Sequence, residues 1–407
     1  MDSPMLTIYR IISRLIEMIL RLRVRISGSA ALRQRLVLDS PSARADIWIH
    51  GASVGELTSA RPIIQALAAD YSLLITANSQ TGRDMVAEWG LPVRLAPLDV
   101  PGALDRFLNA VQPRLVLTVE AEIWPLRSRM LADRGIPQAV IGARISERSA
   151  RRWARMRGLI SPVLGRIAAL SAQDERSEAR LRQLGLADSA ILLRLDLKLL
   201  APAQVVPPAD DPARDMTVLA ASTHEGEDAP ILDAWLAARA VHPDLRLVLA
   251  PRHPQRGADI AALIAARGLD VMRRSEGAED APLLLADTLG EMPRWYAKAG
   301  ICFVGGSLAD IGGHTPWEPA AYRCAILNGP HVDNHAANYA ALAEAGAALR
   351  VDAGTLGAEL VRLAGDPAAA HRMGKAAQVL LQCRAGDPAP LLNRLRDLAK
   401  SGGAYDI

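Results

Sequence analysis

From Ile47 onward, short apolar runs alternate with longer stretches in which apolar residues return every three or four positions. The short runs predict strands at Ile47–His50, Ser72–Ala77, Val93–Leu98, Leu115–Val119, Gln138–Ile141, Ile167–Ser171 and Ile191–Leu197. Amphipathic stretches such as Glu56–Ala69 and Ser146–Leu164 predict helices between them. Residues 199–216, with four prolines and several acids, break the rhythm and predict a linker. The alternation then restarts at Thr217–Ala221, Leu245–Ala250, Leu283–Ala286, Ile301–Val304, Ala325–Leu327 and Ala347–Val351. Helical segments near Leu356–Leu363 and His371–Leu381 lead to a tail expected to be exposed. This pattern predicts an α/β fold of two doubly wound, Rossmann-like domains facing a cleft, with the carboxyl ends of the strands lining it. The boundaries expected are 1–30 for an N-terminal helix, 31–200 for the first domain, 201–216 for the linker and 217–407 for the second domain with its terminal helices.

The N-terminus follows a different pattern. Arg10, Arg14, Glu17 and Arg21 recur at helical spacing among Ile8, Ile11, Ile12, Leu15, Ile16, Met18, Ile19 and Leu22. Residues 1–50 hold eight Arg, no Lys and four acids, with arginines at 21, 23 and 25. The stretch is too short and too charged to span a bilayer, and its arginines interrupt the apolar region a signal peptide requires. The expectation is a basic amphipathic helix lying on an anionic membrane surface, the competing reading being a helix packed on the protein's own core.

Composition narrows the class. Half of the 407 residues are hydrophobic, 22% are charged and 4% are aromatic, enough apolar material for two cores. A formal net charge of +3 gives no sign of a nucleic-acid partner. Cys302, Cys324 and Cys383 lack CxxC spacing, so neither a zinc site nor a disulfide framework is expected.

Polar clusters directly follow the apolar runs. His50-Gly51-Ala52-Ser53-Val54-Gly55-Glu56 places a carboxylate in the first helical turn after the first strand. Ser53 and Glu56, three apart, fit a capping box, and Glu56 equally fits a general base at a cleft mouth. Glu120-Ala121-Glu122-Ile123-Trp124-Pro125 offers two acids at alternate positions, or a helix start that favours acids. Arg144 and Arg148 can hold a phosphate or form a solvated turn. Lys198, expected to end a strand, can face a developing anion. Ser222–Glu227, Pro251–Arg256 and Asp287–Glu291 repeat the arrangement in the second half, with Arg252 suited to a phosphate. Gly305-Gly306-Ser307 and Gly312-Gly313-His314-Thr315-Pro316-Trp317-Glu318 form a glycine-flanked loop before a helix. Its backbone N–H groups are expected to approach a ligand, with Glu318 suited to a ribose diol.

Together these segments resemble the 3-deoxy-D-manno-octulosonic acid (Kdo) transferases of lipopolysaccharide synthesis over nearly the whole chain. Ser53–Glu56 resembles the family's Ser-Val-Gly-Glu loop, Glu120–Pro125 its Glu-x-Glu-(Leu/Ile)-Trp-Pro motif, and Ala143–Ser146 its Ala-Arg-(Leu/Ile)-Ser segment. Ser222–Glu227, Pro251–Arg256, Asp287–Glu291, Phe303–Ser307 and Gly312–His314 resemble five further motifs in the same order. The resemblance implies a GT-B-like fold, with an acceptor-binding first domain and a CMP-sugar-binding second domain. It implies inverting transfer of Kdo from CMP-Kdo to the glucosamine hydroxyl of a lipid A precursor. The expected place is the cytoplasmic face of the inner membrane, with peripheral or monotopic attachment through the N-terminal helix. It implies Glu56 as general base, with Glu122 and Lys198 stabilising the transition state. CMP contacts are implied at Pro251, Arg252, Leu289, Gly290, Glu291, Thr315, Pro316, Trp317 and Glu318, with no metal and no cofactor beyond the donor.

Some positions depart from the family pattern. Thr315-Pro316-Trp317-Glu318 stands where Asn-Pro-Leu-Glu is usual, Gly142 where Asn is usual, and Leu126 where Asn is common. Leu195–Leu200 keeps the lysine of a Gly-Asn/Ser-Leu-Lys-Phe-Asp stretch and little else. These changes leave open a GT-B enzyme with another nucleotide sugar, or a non-catalytic relative.

Overall fold

The computed structural model describes residues 3–39, 44–120 and 122–402. Two compact units divide the chain: Met1–Ala201 together with Ala385–Ile407, and Pro202–Arg384.

The first unit is built on six parallel strands: β1 Ile47–Gly51, β2 Leu73–Ala77, β3 Val93–Leu95, β4 Leu115–Val119, β5 Gln138–Ala143 and β6 Ile167–Ala172. Their order is β3-β2-β1-β4-β5-β6. Every residue of β1, β2 and β4 is buried, as continuous apolar runs demand when helices cover both faces of a sheet. On one face Trp48 meets Phe107 with ring centroids 4.5 Å apart, within a core that includes Leu104, Val116 and Leu131. Two consecutive connections build outward from β1 on one side, and β4 then starts on the other. The chain therefore reverses direction across the sheet between β1 and β4, and in such sheets ligands bind at that reversal, outside the carboxyl ends of the strands.

The second unit repeats the principle with seven parallel strands: β7 Thr217–Thr223, β8 Arg246–Pro251, β9 Met272–Arg273, β10 Leu283–Leu285, β11 Ile301–Val304, β12 Ala325–Asn328 and β13 Ala348–Arg350. The order β13-β12-β11-β7-β8-β10-β9 puts its reversal between β7 and β11. Trp235, Leu249, Ile260, Leu285 and Phe303 lie in its core.

Three expectations are corrected. Ile191–Leu197 is not a strand: a single bridge joins Ile191 to Leu170, and Leu193 is 68% exposed. Lys198 therefore stands in the first turn of the helix Leu197–Ala203, which runs into the expected linker. Residues 385–402 do not close the second unit. The helix Ala389–Ser401 packs on the helix Val54–Ala68 and on β4 and β6. Its apolar stripe Leu391, Leu395, Leu398 and Ala399 is buried there, and Arg396 pairs with Asp70 at 2.9 Å. The two-residue strand β9 carried no sequence signal.

The helix Pro4–Ser27 opens with Ser3 as cap and ends at Gly28 in the left-handed conformation. Leu6, Ser13, Glu17 and Val24 face inward, against the helices Pro101–Val111 and Arg157–Leu164. Glu17, expected on a polar face with Arg10, Arg14 and Arg21, is buried. It accepts from the Gly102 N–H at 2.7 Å and from Arg106 at 3.2 Å, compensating the positive N-terminus of the helix Pro101–Val111. Inverting the usual arrangement, the apolar residues Met5, Ile8, Ile11, Ile12, Leu15, Ile16, Met18, Ile19, Leu22 and Ile26 are exposed. No helix among the described residues is long and apolar enough to cross a membrane.

The C-terminal helix is thus part of the first core. Leu395→Ala removes a fully buried side chain, and such truncations cost about 2–5 kcal/mol. Urea unfolding should show that loss in the transition of the first unit, with the second unit's transition unmoved.

Candidate functional site

Glu56 sits where the turn after β1 enters the helix Val54–Ala68. Ser53 Oγ accepts from the Glu56 N–H at 3.3 Å and donates to Glu56 Oε1 at 3.1 Å, while Oε2 accepts from the Ala52 N–H at 2.6 Å. Of the capping box expected from sequence only the Ser53 half is formed: the Glu56 side chain reaches the N–H of Ala52, one residue before the cap, and these bonds fix the rotamer of the carboxylate rather than competing with a chemical role. Burial pushes the Glu56 pKa up; the Ala52 and Ser53 hydrogen bonds oppose this, while the charges of Glu120 and Glu122 add to it. A carboxyl raised in this way is suited to accept a proton.

The two acids after β4 have different fates. Glu120 adopts φ 58°, in the left-handed region, with its N–H bonded to Ile141 O at 2.8 Å. A non-glycine residue held there is strained, and such strain gathers at functional sites. Glu120 lines a small pocket with Glu56, Ser59, Gln173, Asp196 and Lys198. Ala121 lies outside the described residues. Glu122 accepts from His50 Nε2 at 2.6 Å, Trp124 Nε1 at 2.8 Å and Asn78 Nδ2 at 3.1 Å. Burial pushes Glu122 up, but the His50 and Trp124 hydrogen bonds and the Arg127 charge bring it below the usual range. His50 is fully buried, and burial lowers its pKa despite Glu122. Its Nε2–H donates to Glu122, and Nδ1 lies 2.9 Å from Thr76 Oγ1. Behind this network Arg127 lies 4.4 Å from the Trp124 ring centroid. Of the acids after β4, it is Glu120 that shares the pocket with Glu56 and Lys198, whereas Glu122 anchors the loop.

Lys198 is exposed, and its N–H bonds to Asp196 Oδ1 at 3.1 Å. Its position is set from behind. A Cβ at Gly142 would lie 2.6 Å from Leu197 Cδ1, and Gly142 has φ 61°. Close packing and a left-handed backbone are thus both required at residue 142.

In the second unit the glycine loop after β11 is held by Glu227. This buried carboxylate accepts N–H groups from His224 (2.8 Å), Gly306 (2.7 Å), Ser307 (2.9 Å), Leu308 (2.8 Å) and Ala309 (3.3 Å). The N–H groups of residues 306–309, expected to meet a ligand, are therefore occupied from within. A Cβ at Gly305 would come 2.5 Å from Ser222 O, so only glycine lets the turns after β7 and β11 meet this closely. Their meeting stacks His224 on His314, Nε2 to Nε2 at 2.9 Å, with His253 edge-on to His224. Burial first, then the neighbouring His224 and Arg252 charges, push His314 down to about 4.

The other positions marked in this unit divide. Arg252 is exposed after β8, beside buried Pro251. Leu289 is 77% exposed on a loop where Gly290 has φ 82°. Glu318 accepts from Tyr296 OH at 3.0 Å. Thr315 Oγ1 lies 3.4 Å from the Trp317 N–H, and Pro316 caps the short helix Trp317–Ala321. Trp317 is buried with Arg384 5.6 Å above its ring, which makes it a packing residue. Glu291 is engaged by Arg274 at 2.8 Å and by Arg294 and Thr288; the Arg274 and Thr288 hydrogen bonds hold it down to about 2. Among the described residues no cluster of three His, Cys, Asp or Glu is arranged to hold a metal ion.

Residues 30–201 match the family model described as 3-deoxy-D-manno-octulosonic-acid transferase (kdotransferase). The chain is 34% identical over 373 residues to the 3-deoxy-D-manno-octulosonic acid transferase of Haemophilus influenzae, covering 87% of this chain and 86% of that protein. It is 35% identical to the transferase of the same name from Bordetella pertussis, covering 87% of each. The chain belongs to the Kdo transferase family. The crystal structure of UDP-GlcNAc 2-epimerase from Neisseria meningitidis is similar at a TM-score of 0.52, with 14% identity over 87% of this chain and 98% of that one. That likeness supports the fold class, α/β of the GT-B kind with two Rossmann-like domains.

Membership gives the departures a physical reading. Gly142 takes the left-handed conformation that Asn also tolerates, without the Cβ that would meet Leu197. Leu126 is buried in the first core, and its N–H bonds to Asp99 at 3.2 Å. Glu227 was not singled out from its motif, and of the pair Glu120 and Glu122 only Glu122 was assigned a role. Glu227 closes the Ser-Thr-His-x-Gly-Glu motif, and Glu120 opens the Glu-x-Glu motif, so both signals were present.

Two outcomes follow. Glu227→Gln sets an amide NH2 among five N–H donors, and should destabilise the second unit by at least about 2 kcal/mol while deprotecting the amides of residues 306–309 in hydrogen exchange. His314 should titrate near 4 by NMR. Because the unfolded ring takes its proton near 6.5, the unfolded state binds more protons between these values. The stability of the second unit should accordingly rise with pH from about 4 to about 6.5, then level off.

Proposed function

We propose that this family member is an inverting glycosyltransferase that moves Kdo from CMP-Kdo to the glucosamine hydroxyl of a lipid A precursor. The observation that carries the reading is the pocket shared by Glu56, Glu120 and Lys198 at the strand reversal of the first unit. Glu56 takes the proton of the acceptor hydroxyl as the oxygen bonds to the anomeric carbon. The bond from that carbon to the CMP phosphate oxygen breaks, and CMP leaves with the electron pair. A sugar hydroxyl is a poor nucleophile, and a positioned base contributes about 10²–10⁴-fold. Glu120 supports the positive charge that grows on the sugar ring, and its proximity helps keep Glu56 basic. Lys198 offers positive charge to developing anionic oxygen.

The second unit is read as the holder of CMP. Arg252 suits the phosphate, the open Leu289–Gly290 loop offers backbone contacts, and Glu318 suits the ribose diol. Pro251, Thr315 and Pro316 shape that surface, while Glu291 and Trp317 act through packing and ion pairing. The exposed apolar face of the helix Pro4–Ser27, flanked by arginines, supports attachment to an anionic membrane surface without crossing it, at the cytoplasmic face of the inner membrane.

Incubating the purified protein with CMP-Kdo and a lipid A precursor, followed by mass analysis of the lipid, tests this directly. Addition of whole Kdo units is expected, with Glu56→Gln slowing turnover by about 10²–10⁴-fold. Glu120→Gln should lose more than Glu122→Gln retaining its fold. No product from the wild type, or undiminished transfer by Glu56→Gln, would refute it.

A further inference from the structure

Away from the Glu56 pocket, the first unit carries a second concavity of about 780 Å³. The helices Glu147–Ala154, Arg157–Leu164 and Glu175–Leu184 form it, and Arg151, Arg157, Arg176 and Arg180 line it. Glu147 is the one carboxylate in that lining, and it is paired with Arg151. Arg180 donates to Ile145 O at 3.0 Å and Arg157 to Gln183 O at 3.2 Å. Backbone carbonyls orient a guanidinium without neutralising it, so both keep their charge. Such a groove attracts phosphate, which guanidinium groups bind through parallel hydrogen bonds.

Its neighbour points to the source of that phosphate. Arg157 opens the helix whose next residue, Gly158, meets the N-terminal helix: Ser3 Oγ donates to Gly158 O at 2.7 Å, and Met5 lies over Gly158. Met5 begins the row of exposed apolar residues that continues through Ile8, Ile12 and Ile19. A basic cavity and an apolar helix face thus adjoin on one unit, the combination that engages lipid headgroups and acyl chains together.

We propose that the groove lined by Arg151, Arg157, Arg176 and Arg180 binds the phosphate of a membrane lipid headgroup. This deepens the membrane attachment read above and rests on it for the lipid source. It assigns no step of sugar transfer to these arginines.

The test measures sedimentation of the full chain with phosphatidylcholine vesicles, and with the same vesicles doped with phosphatidic acid. Arg151→Glu/Arg176→Glu leaves the two arginines that donate to backbone carbonyls intact. It should bind doped vesicles about tenfold or more weakly than wild type, with binding to neutral vesicles unchanged. Arg176→Gln, a milder change, should shift in the same direction. Kdo transfer to detergent-dispersed acceptor should be unchanged in these variants. A wild type inactive in that assay would therefore sink the transferase reading without touching the vesicle result. Equal losses on both vesicles, or no loss, would overturn the proposal. So would full displacement from doped vesicles by millimolar inorganic phosphate at matched ionic strength, which would make free phosphate the ligand.

Discussion

Parallel strands impose one constraint from which the rest follows: every turn that leaves a strand does so at the same edge of the sheet. Where the strand order reverses, the chain leaves two neighbouring strands toward opposite sides of the sheet, and the turns that follow them stand side by side. In the first unit the reversal separates β1 from β4, and the turns after these strands carry Glu56 and Glu120. In the second it separates β7 from β11, and the turns after them bring His224 to His314. The same topology thus creates a carboxylate pocket in one unit and a glycine-loop site in the other, and only the residues on the turns differ.

Hydrogen-bond supply then decides what each carboxylate does. Glu227 has five N–H donors, so its charge is fully met and it serves as the keystone of the glycine loop. Glu122 is met by a histidine, an indole and an amide, and falls below the ordinary carboxylate range. Glu56 has one N–H and one hydroxyl for a half-buried carboxylate near two further acids, and is raised. Only the last is poised to exchange a proton.

The strand–helix alternation was legible because each run is buried on both faces and therefore uniformly apolar. Ile191–Leu197 imitated that signal, but it lies beyond β6, where a single bridge and exposed Leu193 replace pairing. The C-terminal helix could not be assigned to a unit from its stripe, since an apolar stripe states that a partner exists and not which one. Glu56 was legible from its place after a strand. Glu120 and Glu122 were not separable, because alternate residues need share neither a face nor a neighbour once one of them turns left-handed. The glycine loop was read as open to ligand, and the carboxylate that fills it stands about eighty residues earlier in sequence.

Burial and the acids beside it hold the Glu56 carboxyl proton-accepting. The direct measurement is a carbon-13 NMR titration of that carboxyl in the wild type and in Glu120→Gln. A titration above the ordinary 4.5 is expected in the wild type, moving down once the neighbouring charge is removed. A wild-type midpoint at or below the ordinary value, unmoved in Glu120→Gln, would contradict it.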